Sequence, residues 1–134
     1  MTELLHLRAE TAADLTALSA LVQDMTVAVS DIVWDRRAAR LVLAGNRFRH
    51  EAAAPSRVRA LLRLDFVRLV RRHRWPERRD TVLPLLAVLV AGGNAVDLCF
   101  GGGARLRALV ECLDLTLEDL GGPRPARYAP RHPG

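Results

Sequence analysis

"AVDLCFGGGARLRALVE", residues 95–111, is the stretch on which the reading of this chain turns. Gly101, Gly102 and Gly103 can take the positive φ that a three-residue hairpin loop requires and that residues with a Cβ avoid. With Phe100 set opposite Ala104, Leu98 meets Leu106, Val96 meets Ala108, and Asp97 meets Arg107. Aliphatic pairs on one face and an ion pair on the other agree on one register, each cross-strand pair contributing about 0.2–1 kcal/mol. In that register Cys99 lies on the polar face and Cys112 on the apolar one, where it packs in the core, and a disulfide between them is disfavoured by geometry.

Upstream of this hairpin, residues 82–90 read as a largely buried strand, with Pro84 near its start where a missing N–H is tolerated. A second hairpin is predicted around "DRRA", residues 35–38: Trp34 faces Leu41, Ile32 faces Leu43, and Asp35 faces Arg40. The strand that enters it begins at Val27 and slips phase at Ser30 and Asp31, as at a bulge. The strand that leaves it passes Gly45 and Asn46, read as another bulge, after which Phe48 resumes the inward face. Val58, Ala60, Leu62, Leu64 and Phe66 alternate with polar residues and give a further strand, continuing with shifted phase through Val67 and Leu69.

At the start of the chain, Leu5, Leu7 and Ala9 alternate with His6, Arg8 and Glu10, the period of a short strand. Thr11 and Asp14 stand at capping-box spacing before the stripe Leu15, Leu18, Val22 and Met25, which predicts an amphipathic helix from Ala12 to about Asp24. Residues 106–120 are compatible with two periods: a strand to about Leu113, or a helical stripe ending at Gly121 and Gly122. A strand followed by a turn of helix satisfies both. The fold expected from these elements is one α+β domain over residues 1–120, an antiparallel β-sheet or partly closed barrel of about six to seven strands with the N-terminal helix packed on it. Residues 121–134, rich in Pro, Gly and Arg, are expected to form a tail.

A chain of 134 residues, half of them apolar, can bury a core of its own. Its formal charge of +5 invites a polyanion partner. All twenty basic residues are Arg, none is Lys, and Ile occurs once. GC-rich coding produces that pattern, so much of the basicity is explained without a ligand. The opening "MTELLHLRAETA" has neither a basic n-region nor an apolar core, which argues against a signal peptide and for a cytoplasmic location. The apolar run at residues 82–91 is about half of what a membrane span needs.

No acid, base and nucleophile set stands out, and without Lys there is neither a Schiff base nor a phosphate-binding lysine. The four histidines are scattered, and the two cysteines lack metal-ligand spacing, so no metal and no cofactor are expected. The strongest local feature is "RLVRRHRWPERRD", residues 68–80. Its candidate binding residues are Arg71, Arg72, Arg74, Trp75, Arg78 and Arg79, since Arg and Trp serve both phosphate contact with base stacking and protein-interface hot spots. Asn46 and Arg47, beside Phe48, form a second candidate patch.

A helix ending in "LSALVQD", then "NRF" at residues 46–48, then "FGGGARLRALVECLDLTLEDLG" from Phe100 to Gly121 together resemble an uncharacterised bacterial family, domain of unknown function 2948. The resemblance covers nearly the whole chain. It implies a small cytoplasmic protein and brings no catalytic residues to carry over. The function expected is a non-catalytic accessory domain that binds another protein; nucleic-acid binding through the arginine-rich loop is the alternative, and an enzyme or small-ligand binder the third.

Overall fold

The computed structural model describes residues 4–121 and 124–125. In chain order these are β1 (His6–Ala9), α1 (Ala12–Val22), β2 (Met25–Ala28), β3 (Ile32–Asp35), β4 (Arg40–Phe48), β5 (Ser56–Leu64), β6 (Val67–His73), β7 (Val82–Ala91), β8 (Ala95–Phe100), β9 (Arg105–Val110), β10 (Leu115–Asp119) and the two-residue β11 (Arg124–Pro125). Every strand pairing is antiparallel, in the order β1-β10-β5-β4-β2-β7-β8-β9-β6, with β3 added on β4 and β11 on β5. The class is α+β as expected, but the sheet is open and has eleven strands among the described residues, not six or seven in a partly closed barrel. The expected tail lies, apart from Gly121 and β11, outside the described residues.

Both hairpins have the predicted registers. Leu98 pairs with Leu106, Val96 with Ala108 and Asp97 with Arg107, and the Phe100 amide donates to the Ala104 carbonyl at 2.8 Å. Gly102 and Gly103 take φ of 74° and 79° in the loop, the conformation for which glycine was read there. In the other hairpin Ile32 faces Leu43, Trp34 faces Leu41 and Asp35 faces Arg40.

The helix also forms with the expected start and cap, but it ends at Val22 rather than about Asp24, and Met25, read as part of its stripe, opens β2. The Thr11 hydroxyl accepts from the Asp14 amide at 3.1 Å, and the Asp14 carboxylate accepts from the Thr11 amide at 3.2 Å. Leu15, Leu18 and Val22 are buried against β7, β1 and β4. Where the β7–β8 register shifts between Leu85 and Ala87, the Val88 amide donates to the Ser19 hydroxyl of α1 at 2.9 Å. The helix thus satisfies a backbone donor that the irregular ladder leaves free. Its stripe belongs to one core cluster with Met25, Leu43, Leu62, Leu85, Leu98 and Leu117, all fully buried. Each such side chain is worth about 1.5–3 kcal/mol relative to exposure.

Three changes of chain path hide in the sequence. Val29–Asp31 is a turn of 3-10 helix, not a bulge, and it separates β2 from β3 along β4. Asp65 and Phe66 make a corner: Phe66 has φ 58° and is exposed, while β5 and β6 stand far apart in the sheet order. A link of two residues between an interior strand and the last edge strand requires the sheet to curl. Residues 111–114 are a turn, and β10 replaces the expected helical turn. Leu106, Ala108 and Val110 point inward from β9, the turn resets the phase, and Leu115 and Leu117 point inward from β10. Two strand phases offset by a turn imitate helical spacing. Cys112 lies exposed in this turn, not on the apolar face; Cys99 is half-buried, and both are free thiols.

Candidate functional site

Several arginines of the described residues are neutralised locally. Arg8 pairs with Asp114, Arg40 and Arg63 with Asp65, Arg59 with Asp31, Arg78 with Asp80, and Arg107 with Asp97 in a two-pronged contact of 2.7 and 2.9 Å. Arg68, Arg71, Arg72, Arg74 and Arg79 make no ion pair among the described residues, and all five are exposed. Apart from Arg36 and Arg37 in the β3–β4 turn and Arg57 with its backbone contacts, the arginines without an ion pair gather on β6, the loop after it and the neighbouring Arg105 of β9. Codon bias can supply arginines; it does not arrange which of them lack acids.

Among the described residues, strand β6 is an outer edge of the sheet and pairs only with β9. Leu69, Arg71 and His73 stand opposite Leu109, Arg107 and Arg105, all on the outer face, and Val70 and Arg72 stand opposite the buried Ala108 and Leu106. Arg71 and Arg72, neighbours in sequence, therefore belong to different faces. A shallow cavity of about 390 Å³ lies over Arg71, His73, Arg105 and Arg107, with Arg72 also at its border. Arg105 brings to it a buried Nε with no hydrogen-bond partner, a costly arrangement unless something accepts that proton. Arg105 was not among the residues the sequence singled out. The signal exists, in the alternation of "ARLRA", but it becomes visible only once β6 is known to lie beside β9.

Trp75 is half-buried and packs edge-on against Phe100, ring centres 5.4 Å apart. That contact anchors the arginine loop on the sheet. The Arg74 side chain lies near Gly103, and Arg78 is held by Asp80 at 2.8 Å.

The second candidate patch has a different character. Strand β4 pairs with β5 without a register shift from Leu41 to Phe48, so no bulge interrupts it and Arg47, not Phe48, takes the inward position. Arg47 is fully buried. Its Nε and Nη2 donate to Asp119 at 3.1 and 3.0 Å, Nη1 and Nη2 to Glu51 at 2.9 and 2.8 Å, and Nη1 also to the Leu21 carbonyl at 3.4 Å. All five guanidinium N–H groups are then engaged, leaving none for a ligand. Burial disfavours the Arg47 cation, but the hydrogen bonds to Glu51 and Asp119 outweigh it and hold the side chain charged. Asn46 is half-buried and pairs with Thr26 and Arg59, its carbonyl accepting from Arg57 at 3.3 Å.

The carboxylates respond in kind. The Arg47 hydrogen bond lowers the Glu51 pKa from its ordinary value against the opposing effect of burial, and the Arg107 hydrogen bond does the same for Asp97. Groups whose pKa is lower folded than unfolded contribute stability that is complete above the unfolded value and lost as pH falls through the folded one. Urea unfolding should therefore give a constant midpoint above about pH 5 on this account and a falling one below it, with unfolded carboxylates near 4. A midpoint that rises on acidification would contradict these pairings. Burial, with Asp97 adding to it, raises the Cys99 thiol pKa, the wrong direction for a nucleophile.

Among the described residues no cluster of three or more His, Cys, Asp or Glu side chains is placed to hold a metal ion, and no helix is long and apolar enough to cross a membrane. No curated protein and no solved structure matches the chain. The family described as "Protein of unknown function (DUF2948)" matches residues 5–132, nearly the whole length, and the chain belongs to that family.

Proposed function

We propose that this chain is a non-catalytic cytoplasmic interaction domain that takes an extended, acidic segment of a partner protein alongside β6. The observation that carries this reading is the coincidence of a free sheet edge with the arginines that lack acids. An added strand gains main-chain hydrogen bonds from the edge, and its alternate side chains reach one face. On the outer face they meet Arg71, His73 and Arg105, so acids at every second position suit it. The same charges keep two copies of β6 from pairing with each other, since guanidinium groups would stand against guanidinium groups.

The test is fluorescence anisotropy with a labelled peptide of alternating glutamate and valine. The charge reversal Arg71→Glu with Arg105→Glu should weaken binding by about ten-fold or more, the magnitude of a lost charge pair in an interface, while the unfolding midpoint stays put. Equal affinity of the variant and the parent protein would remove the reading.

Single-stranded nucleic acid is the second reading, favoured by exposed Arg71, Arg72, Arg74 and Arg79 beside Trp75. It is the weaker one because Trp75 is the one Phe, Tyr or Trp in the block, and a single ring does not stack successive bases along a strand. Oligonucleotide affinity that exceeds that of the peptide and falls by about one power of salt per phosphate contact would favour it instead.

A further inference from the structure

The curl of the sheet leaves β3 and β6 facing each other without pairing, and a cavity of about 410 Å³ opens between them. Leu41 and Leu106, both buried, lie at its floor, with Ile32 and Val70 half-buried around them. The loop after β6 closes one side. It is held there by the Ser30 and Val29 amides, which donate to the Arg79 and Thr81 carbonyls at 2.9 Å, and by the Trp75 contact on Phe100. Trp34 and Trp75, the chain's two tryptophans, both line the cavity.

At the exposed rim stand Arg72, Arg79 and Glu77. Arg72 reaches the cavity because it occupies the inward position opposite Leu106. Its contrast with Arg47, the other inward arginine discussed above, is informative. Arg47 has every donor engaged by acids of this chain, whereas neither Arg72 nor Arg79 makes an ion pair among the described residues. Two cations against one acid leave the rim positive over an apolar floor. A volume of this size falls in the roughly 300–1,000 Å³ range of small-molecule sites, and its lining joins buried aliphatic groups to a predominantly polar exposed surface.

We infer that the cavity between β3 and β6 binds a small amphipathic anion, an acyl or aromatic body with a carboxylate or phosphate head, the body lying between Trp34 and Trp75 and the head on Arg72 and Arg79. Arg72 borders both this cavity and the one on the outer face of β6, whereas Arg79 borders this one and Arg71 and Arg105 border the other, so variants at Arg79 and at Arg71 with Arg105 tell the two apart.

The full-length protein can be titrated with anilinonaphthalene sulfonate, an aromatic body with an anionic head, while tryptophan emission is recorded. Binding should quench that emission through energy transfer, and decanoate or decyl phosphate should reverse the quenching, the more effective of the two identifying the head group. Arg72→Gln with Arg79→Gln should weaken binding by about ten-fold or more, as expected for lost charged hydrogen bonds. Arg71→Gln with Arg105→Gln, on the opposite face, should leave it unchanged. Uncharged phenylnaphthylamine should bind more weakly than the sulfonate. The inference is overturned if the Arg72 and Arg79 variant, shown by circular dichroism to be folded, binds like the parent, if the uncharged dye binds as well as the charged one, or if neither decyl compound competes. Should that double variant fail to fold, Arg79→Gln alone carries the same expectation.

Discussion

Replacing Arg47 by methionine should lower the unfolding free energy by about 3–5 kcal/mol, the cost of removing one partner from a buried ion pair. Methionine fills much of the same space, so the loss is electrostatic. It strands the Asp119 carboxylate, 1 % exposed, with only the Leu5 amide at 2.9 Å, and it frees Glu51 and the Leu21 carbonyl. Arg47 joins β4, β10, the end of α1 and the segment after β4, so the damage is to the packing of the helix side of the sheet. Lysine should rescue little, because an ammonium cannot reproduce a five-donor fork. Urea unfolding near neutral pH measures the effect as a shifted midpoint at unchanged slope. A loss below about 1 kcal/mol would mean that the cluster is no more than a surface-like pair. Replacing both Arg47 and Asp119 by apolar residues should recover part of the loss, since a buried pair and a well-packed apolar pair are often of similar stability.

Arg47 also shows what kind of information the sequence carries. The alternation Leu41, Leu43, Gly45, Arg47 places the arginine inward without any bulge. An inward arginine without a visible acid is the less common arrangement, so a phase slip was the more natural reading. The acid that resolves the conflict, Asp119, lies 72 residues further along the chain. The two hairpins and the capped helix were legible because their partners lie within one turn or one loop of each other. The corner at Phe66 was not, because a left-handed φ at a phenylalanine leaves no compositional mark, and strand alternation simply runs through it. The same distance effect hid the outer-face cluster. "RLVRRHRWPERRD" was visible as a basic block, but its junction with Arg105 and Arg107 depends on β6 crossing to β9, a long-range pairing with no local signature. The cavity between β3 and β6 depends on both the corner and the 3-10 turn, so neither its tryptophans nor Arg72 could be assigned to a common wall from spacing alone.

Replacing Gly45 by valine should cost about 3 kcal/mol or more, the upper end for overpacking, because the nearest obstacle is backbone. A Cβ at Gly45 would collide with the Thr26 carbonyl oxygen and lie 3.0 Å from both the Met25 Cε and a Val27 methyl. Strand β2 meets β4 only at Thr26 and Asn46 before continuing along β7, and there the two backbones approach more closely than any side chain on β4 permits. Side chains such as Met25 can rotate away; a carbonyl in the ladder can move only if β2 moves, and β2 carries buried Met25 and Val27 into the core under the helix. Alanine, with a single added methyl, should show a smaller loss in the same direction. Gly93→Ala, where nothing lies within 4 Å of the added atom, should stay within about 0.5 kcal/mol of the parent and serves as the control. If Gly45→Val unfolds at the same urea concentration as the parent, β2 and β4 do not approach at this position. The glycine would then mark a bulge after all, and the inward placement of Arg47 would fall with it.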